Sequence, residues 1–139
     1  MKVLFDTNVI LDVLFDREPF SDPASRLLSL VEQREISGMI CATTITTIYY
    51  LSSKALGKNK ARHHMKNLIT LFEIAAVNGR VIEEALKTGF SDFEDSVIYH
   101  AAHNAGAEAL VTRDPKGFKK SKLPVFNPAE LLRLLTMIE

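Results

Sequence analysis

Residues 2–15 read KVLFDTNVILDVLF, in which a short apolar run passes into a longer one with helical spacing. The run at 2–6 ends in the turn-prone sequence Asp-Thr-Asn, which predicts a buried β-strand. Apolar residues then recur from 9 to 15 with the spacing of a helix. A buried strand that leads directly into a helix is typical of α/β proteins.

The rest of the chain repeats this alternation. Further strands are predicted at 38–42, 74–77, 109–112 and 124–126, and helices at 21–34, 43–55, 60–72, 80–87, 92–105 and from 128 onward. Short apolar strands that alternate with helices predict a parallel sheet covered on both faces. We therefore expect a single α/β domain over residues 1–139, a three-layer α/β/α sandwich around a five-stranded parallel sheet.

The composition is that of a globular protein. Hydrophobic residues make up 47% of the 139 residues and charged residues 24%, which excludes a disordered or fibrous chain. The single cysteine, Cys41, excludes an internal disulfide and a cysteine-based zinc cluster. No apolar stretch approaches the roughly 18 residues of a membrane span, and no signal-peptide core follows Lys2. We therefore expect a cytoplasmic protein that makes no membrane contact.

Charge is balanced overall but clustered locally. The 17 basic and 17 acidic residues cancel, which argues against a protein that coats nucleic acid by its global charge. Residues 54–66 and 113–122 nevertheless hold five basic residues each, and Asp114 is the one acid in these two windows. Each window is either a solvated surface or a contact for the phosphates of a polynucleotide.

Four aspartates are predicted to meet at one edge of the sheet. Asp6 ends the first strand, Asp114 follows the fourth, and Asp92 and Asp95 lie in the first turn of the helix before it. In right-handed βαβ units, the strand ends and the following helix starts share the edge where ligands bind. Clustered carboxylates repel one another unless a cation or protons relieve them. The pattern therefore predicts a site for Mg²⁺ or Mn²⁺ that serves phosphodiester cleavage.

Helix chemistry offers a different explanation for some of these acids. Residues 91–94 read SDFE, which matches a capping box with Ser91 as the N-cap and Glu94 at the third helical position. Acids in the first turn also suit the helix dipole. Asp92 is therefore either a capping residue or a site residue, whereas Asp95 exceeds what capping requires.

Three motifs together resemble those of the PIN domain family. They are LFDTNVILD at 4–12, SDFEDSVIYHAA at 91–102 and VTRDPKGF at 111–118, and the final PVFNPAELL also resembles the last strand and helix of the family. PIN domains are Mg²⁺- or Mn²⁺-dependent ribonucleases, and many are toxins of bacterial or archaeal VapBC-type toxin–antitoxin pairs. The resemblance thus implies an endoribonuclease that hydrolyses RNA phosphodiester bonds, with a cognate antitoxin as partner.

The resemblance also assigns roles to the acids. It implies that Asp6, Asp95 and Asp114 are metal ligands for Mg²⁺ or Mn²⁺. Asp92 is an extra acid found in some members and completes the expected catalytic set.

Four further residues are expected to contact the RNA substrate. Asn8 and Thr112 match positions that line the site in the family, where polar side chains steady the acids or waters. Arg113 and Lys116 follow directly on the predicted site edge and carry positive charge towards it.

One position departs from the family pattern. Most active members carry a glutamate one helical turn into the helix after the second strand, and Thr47 occupies that position here. A hydroxyl group supplies no negative charge, although Asp92 adds a carboxylate from the neighbouring helix. The alternative function is therefore a catalytically impaired PIN module that acts by binding RNA or an antitoxin.

A phosphatase or phospho-acceptor domain would also place an aspartate after its first strand. The phosphatase pattern requires Asp-x-Asp, whereas Asn8 stands at the third position here. The phospho-acceptor pattern requires a lysine after the fifth strand, and residues 123–127 contain none. This class ranks behind a nuclease.

The helices at 43–55 and 60–72 suggest an interface. They carry more apolar side chains than one sheet face needs, namely Ile45, Ile48, Leu51, Leu68, Leu71 and Phe72. We therefore expect either a homodimer or a groove for an antitoxin, and the sequence does not distinguish them.

Overall fold

The computed structural model describes residues 1–137 and contains a five-stranded sheet. Its strands pair in parallel in the order β3-β2-β1-β4-β5, so the first strand is central. Their bounds are β1 Lys2–Phe5, β2 Ser37–Cys41, β3 Glu73–Ala75, β4 Ala109–Val111 and β5 Val125–Phe126. The predicted five-stranded parallel sheet is confirmed.

Within the described residues 1–137, seven α-helices connect and flank the strands. They are α1 Thr7–Leu14, α2 Ser21–Glu32, α3 Ala42–Leu56, α4 Lys58–Leu71, α5 Gly79–Lys87, α6 Phe93–Asn104 and α7 Pro128–Met137. Each lies where the apolar spacing predicts a helix, and the bounds differ by a few residues. A short 3₁₀ helix at Pro115–Phe118 was not predicted.

Both faces of the sheet are covered by helices. Alternate residues of β1 point to opposite faces, so Phe5 packs among α1, α2, α3, α4 and α7, while Leu4 packs among α5 and α6. Both side chains are completely buried, as expected for a strand in the middle of a three-layer sandwich. The predicted α/β/α architecture is therefore confirmed.

The apolar residues of α3 and α4 are mostly used inside the protein. Ile48, Leu68 and Phe72 are buried in the core, and the Phe72 ring meets the Phe5 ring edge-on with 5.2 Å between centroids. The expectation that these three form a surplus apolar surface is therefore wrong. Tyr50 and Ile69 are the more exposed apolar residues on these helices, each more than half exposed.

No helix within residues 1–137 combines the length and the apolar character needed to cross a membrane.

Candidate active site

Asp6 lies at the edge of the sheet where β1 ends, and its carboxylate is fixed at both oxygens. The residue is the N-cap of α1, and its Oδ1 accepts a hydrogen bond from the backbone N–H of Thr7 at 2.8 Å. Its Oδ2 accepts a hydrogen bond from the Thr112 hydroxyl, also at 2.8 Å. The backbone N–H of Asp6 donates to the carbonyl of Val111 in the neighbouring strand. Asp6 is therefore held by β4 as well as by its own helix.

Thr112 organises this edge from inside the protein. Its side chain is completely buried, and its hydroxyl accepts hydrogen bonds from Asn8 Nδ2 at 3.4 Å and from the backbone N–H of Asp114 at 3.2 Å. With the bond donated to Asp6, the hydroxyl uses its one donor and both acceptor positions. Thr112 therefore holds the Asp6 carboxylate in place, and contact between Thr112 and substrate stays a prediction.

Asn8 also ties two segments together. While its amide nitrogen donates to Thr112, its Oδ1 accepts a hydrogen bond from the backbone N–H of Arg113 at 3.1 Å. The side chain is partly exposed, so contact between Asn8 and substrate stays a prediction.

The acids of α6 are arranged differently from the predicted capping box. Asp92, not Ser91, is the N-cap, and its Oδ1 accepts a hydrogen bond from the backbone N–H of Asp95 at 2.9 Å. Glu94 is consequently the second helical residue and Asp95 the third. Asp92 can serve as the N-cap in place of Ser91 because a carboxylate is as good an N-cap acceptor as a serine hydroxyl.

Two of the aspartates at this edge have raised pKa values. Burial, together with the charges of Asp6, Asp92, Glu94 and Asp114, raises the pKa of Asp95 to about 7. Burial also raises the pKa of Asp6, against the effect of the Thr112 hydrogen bond, with smaller contributions from Glu94 and Asp114. At neutral pH the carboxylates of this edge therefore repel one another, which disfavours their charged forms.

The segment after β4 closes over Asp95. Asp114 is exposed and precedes the 3₁₀ helix, whose Gly117 lies against the Asp95 carboxylate. A methyl group at position 117 would be 2.7 Å from Asp95 Oδ2, so a side chain there would displace the carboxylate. Lys116, on the same turn, is exposed.

The donors at this edge fit a hard divalent cation in their chemistry. Carboxylate oxygens are the ligands that Mg²⁺ and Mn²⁺ prefer, and Mg²⁺ commonly uses only one or two of them together with water. Within residues 1–137, no three Asp, Glu, His or Cys side chains are arranged as a ready-made metal site. The raised pKa values of Asp6 and Asp95 nevertheless identify charge that a cation would relieve.

Helix α3 contributes hydroxyl groups to this region, not a carboxylate. Thr47 is half-buried, and its hydroxyl donates to the carbonyl of Thr43 in its own helix at 3.3 Å. The completely buried Thr44 instead reaches α1, with 2.9 Å between its hydroxyl and that of Thr7. Thr44 was not predicted near the site, since nothing distinguishes it within the threonine-rich run at 43–47.

The Arg113 side chain forms an ion pair with another residue of the protein. Its guanidinium donates to both carboxylate oxygens of Asp12 at 2.8 and 3.1 Å, and it lies 4.1 Å from the centre of the Phe20 ring. Asp12 is almost completely buried. RNA contact by Arg113 stays a prediction, and a phosphate would have to compete with Asp12 for it.

Comparison with known proteins shows the family to which the sequence is similar. A family model described as PIN domain matches residues 2–116. The protein named Ribonuclease VapC1 from Aquifex aeolicus is 26% identical over 134 residues, which cover 93% of this chain and 92% of that protein.

Solved structures share the fold at low sequence identity. A toxin–antitoxin complex from Klebsiella pneumoniae gives a TM-score of 0.68 at 23% identity and covers 91% of this chain and 97% of the matched chain. VapC20 from Mycobacterium tuberculosis, described as a sarcin-ricin loop cleaving toxin, gives 0.65 at 13% identity and covers 83% and 92%. At these identities the structural matches show the fold alone.

Proposed function

Because this chain belongs to the PIN domain family, we propose that it is a metal-dependent endoribonuclease that acts as the toxin of a toxin–antitoxin pair. One observation carries the proposal: Asp6 and Asp114 follow the adjacent parallel strands β1 and β4, and Gly117 of the turn after Asp114 lies against the Asp95 carboxylate. The raised pKa values of Asp6 and Asp95 support it. The names of the relatives, a ribonuclease and a sarcin-ricin loop cleaving toxin, support an RNA substrate.

Asp6, Asp95 and Asp114 are the residues that would hold Mg²⁺ or Mn²⁺. When bound, such an ion acidifies water and neutralises charge on the phosphodiester. Asp6 presents a carboxylate whose orientation Thr112 and the N–H of Thr7 fix before substrate arrives, and ligands fixed in this way bind more tightly.

Two further side chains support this chemistry. Asp92 holds the backbone N–H of Asp95, which fixes the start of α6, and its own charge adds to the acidic edge. Lys116 follows Asp114 on an exposed turn, where its ammonium group would hold a phosphate that flanks the scissile one.

Cleavage of RNA by the Asp6→Asn variant tests the proposal. Asparagine keeps the shape of the side chain and still accepts hydrogen bonds, but it carries no charge for a cation. We expect cleavage to fall by more than about 100-fold with an unchanged circular dichroism spectrum. Asp22→Asn removes an exposed carboxylate on α2 and should leave the rate unchanged. Cleavage that persists in excess EDTA would contradict the metal requirement.

The structure of α3 favours a second candidate function. Because Thr47 stands where most active members carry a glutamate and bonds to its own helix, the chain is alternatively an impaired module that binds RNA or an antitoxin. RNA that is bound but not cut in the presence of Mn²⁺ would support this candidate over the nuclease.

The proposed partners are a cognate antitoxin and a second copy of this chain. The Klebsiella pneumoniae structure is a toxin–antitoxin complex, which supports the first, and the exposed Tyr50 and Ile69 offer apolar surface for either. Light scattering on the purified chain distinguishes a monomer from a homodimer.

A further inference from the structure

Two adjoining cavities lie beside the acidic edge, and of their lining residues the proposed chemistry uses Lys116 alone. The larger, of about 330 Å³, is lined by Glu84, Thr88, Gly89, Phe90, Tyr99, His100, His103, Lys120 and Lys122. The smaller, of about 200 Å³, shares Gly89, Phe90 and Lys120 with it and extends to Ser91 and Gly117. We call the two together the side groove. Since Ser91 precedes Asp92 and Gly117 touches the Asp95 carboxylate, the side groove leads to the acidic edge.

One wall of the side groove is aromatic and well supported. The ring of Phe90 stacks on that of Tyr99, with 5.3 Å between centroids and 29° between planes, and packs edge-on against Phe118. Tyr99 is in turn fixed because its hydroxyl accepts a hydrogen bond from the backbone N–H of Lys122. Tyr99 and Phe118 are buried, whereas Phe90 is partly exposed to the cavity. A supported aromatic ring of this kind is what an unpaired nucleobase stacks on.

The free charge of the side groove is positive. Lys116, Lys119, Lys120 and Lys122 are exposed, and none forms an ion pair with another residue in the part of the chain that the structure describes. The ammonium group of Lys120 lies over Gly89, where any side chain would displace it. Cations beside an aromatic face suit an anionic ligand that also carries a flat ring.

The acid in the lining does not change this charge balance. Glu84 pairs with Arg80 at 2.9 Å and lies 3.4 Å from His100 Nδ1. The second ring nitrogen of His100 lies 3.1 Å from the Thr88 hydroxyl, which also bonds to Ser96. Glu84 and His100 therefore both bond to other residues of the protein.

We propose that the side groove binds a nucleotide of the substrate RNA next to the scissile phosphodiester, with its base on Phe90 and its phosphate at Lys120. The larger cavity has the volume of a small-molecule site, and the groove ends at the predicted metal ligands. The proposal rests on the proposed function, because it takes RNA as the substrate.

Equilibrium binding in excess EDTA tests the side groove separately from cleavage. The probe is a fluorescently labelled single-stranded RNA of about ten nucleotides and mixed sequence, and the readout is anisotropy with the full chain. Phe90→Leu keeps apolar volume but removes the flat face, and Lys120→Gln removes the charge. We expect Phe90→Leu to raise the Kd about tenfold, the size of one lost base stack, and Lys120→Gln to raise it several-fold through the loss of one phosphate contact.

Arg133 and Met137 provide a control. They are an exposed cation and an exposed apolar residue on α7, outside both basic windows and outside the lining of the side groove. Arg133→Gln and Met137→Leu should change the Kd by less than about twofold. Equal weakening by both pairs of variants would overturn the proposal, since binding would then follow general surface character. Binding of a ten-residue polyglutamate as tight as that of RNA would also overturn it.

Gly89→Ala serves as a second variant if Phe90→Leu fails to fold. The added methyl group displaces the flexible end of Lys120 and touches no backbone, so we expect the fold to be kept and RNA to bind more weakly. RNA binding that depends on the side groove without cleavage would disprove the nuclease and keep this proposal. Cleavage with unchanged Kd and cut sites in these variants would disprove this proposal alone.

Discussion

The hydroxyl group of Thr112 connects three parts of the candidate site. It donates to Asp6 and accepts from Asn8 and from the backbone of Asp114. Thr112→Val keeps the shape of the side chain but leaves these polar groups without their shared partner. We expect cleavage to fall about 10- to 100-fold and the free energy of unfolding to fall by about 1–3 kcal/mol.

Steady-state cleavage and urea unfolding measure the two effects. Thr136→Val is the control, because its exposed hydroxyl only donates to a carbonyl of its own helix. A Thr112→Val variant with wild-type activity would contradict the positioning role.

The pKa of Asp95 predicts how stability depends on pH. It is raised to about 7, whereas an aspartate in an unfolded chain titrates near pH 4. Between these values the folded protein binds more protons than the unfolded one, so stability should decrease as the pH rises from about 4 to about 7. Asp95→Asn removes this loss, and in EDTA its Tm at about pH 8 should exceed that of the wild type.

Thermal melts of the wild type and of Asp95→Asn across this pH range measure the difference in Tm. Glu83→Gln, which removes an exposed carboxylate on α5, should keep the wild-type pH profile. Identical profiles for Asp95→Asn and wild type would mean that neither burial nor the other acids raise the pKa of Asp95.

Single residues also mark where sequence reasoning stops. The acids that follow β1 and β4 could be predicted at one edge, because strand direction alone places Asp6 and Asp114 there. The ion pair between Arg113 and Asp12 could not be predicted from the sequence. A charged residue within an apolar helix indicates a buried ion pair, but it does not name a partner 101 positions away.

At the scale of elements, two helices show how capping follows competition between neighbours. The sequence SDFE before α6 has the pattern of a capping box, yet Asp92 takes the cap. A reciprocal capping box occurs instead at α7, where Asn127 Oδ1 accepts from the N–H of Glu130 and Glu130 Oε1 accepts from the N–H of Asn127. The local pattern therefore locates a helix start to within one residue but does not identify the capping residue.

The capping box of α7 predicts a stability effect. Asn127→Ala removes the acceptor for the Glu130 N–H and should lower the free energy of unfolding by about 1 kcal/mol. Glu130→Gln, which preserves the box, should stay within about 0.5 kcal/mol of the wild type. Urea unfolding monitored by circular dichroism measures both, and equal losses would mean that the charge of Glu130 matters more than the box.

At the scale of the whole molecule, the ion pair between Arg113 and Asp12 joins the segment after β4 to α1. Asp12 is almost completely buried, and Arg17 lies 3.8 Å from it as a weaker partner. Arg113→Gln should therefore cost about 2–3 kcal/mol of unfolding free energy, less than a fully buried pair because Arg113 is one-third exposed.

A double-mutant cycle with Asp12→Asn measures the interaction. The double variant should be more stable than the sum of the two single losses predicts. Strictly additive losses would show that the two side chains do not interact, and would return Arg113 to the set of free cations available for RNA.

The alternation of strands and helices predicts the sheet and its two covered faces, because apolar period and turn residues are local signals. The 3₁₀ helix at Pro115–Phe118 and the side groove have no such signal. Both depend on how the segment after β4 packs against α6, which is a property of the assembled molecule.

The central position of β1 has a consequence during synthesis. Asp6 is made before the hydroxyl that orients it, which lies 106 positions further along the chain. Proteins emerge from the ribosome in chain order, so the nascent polypeptide carries Asp6 long before Thr112 and Asp114 exist. Under the proposed function, the candidate site is therefore incomplete until the segment after β4 has been synthesised.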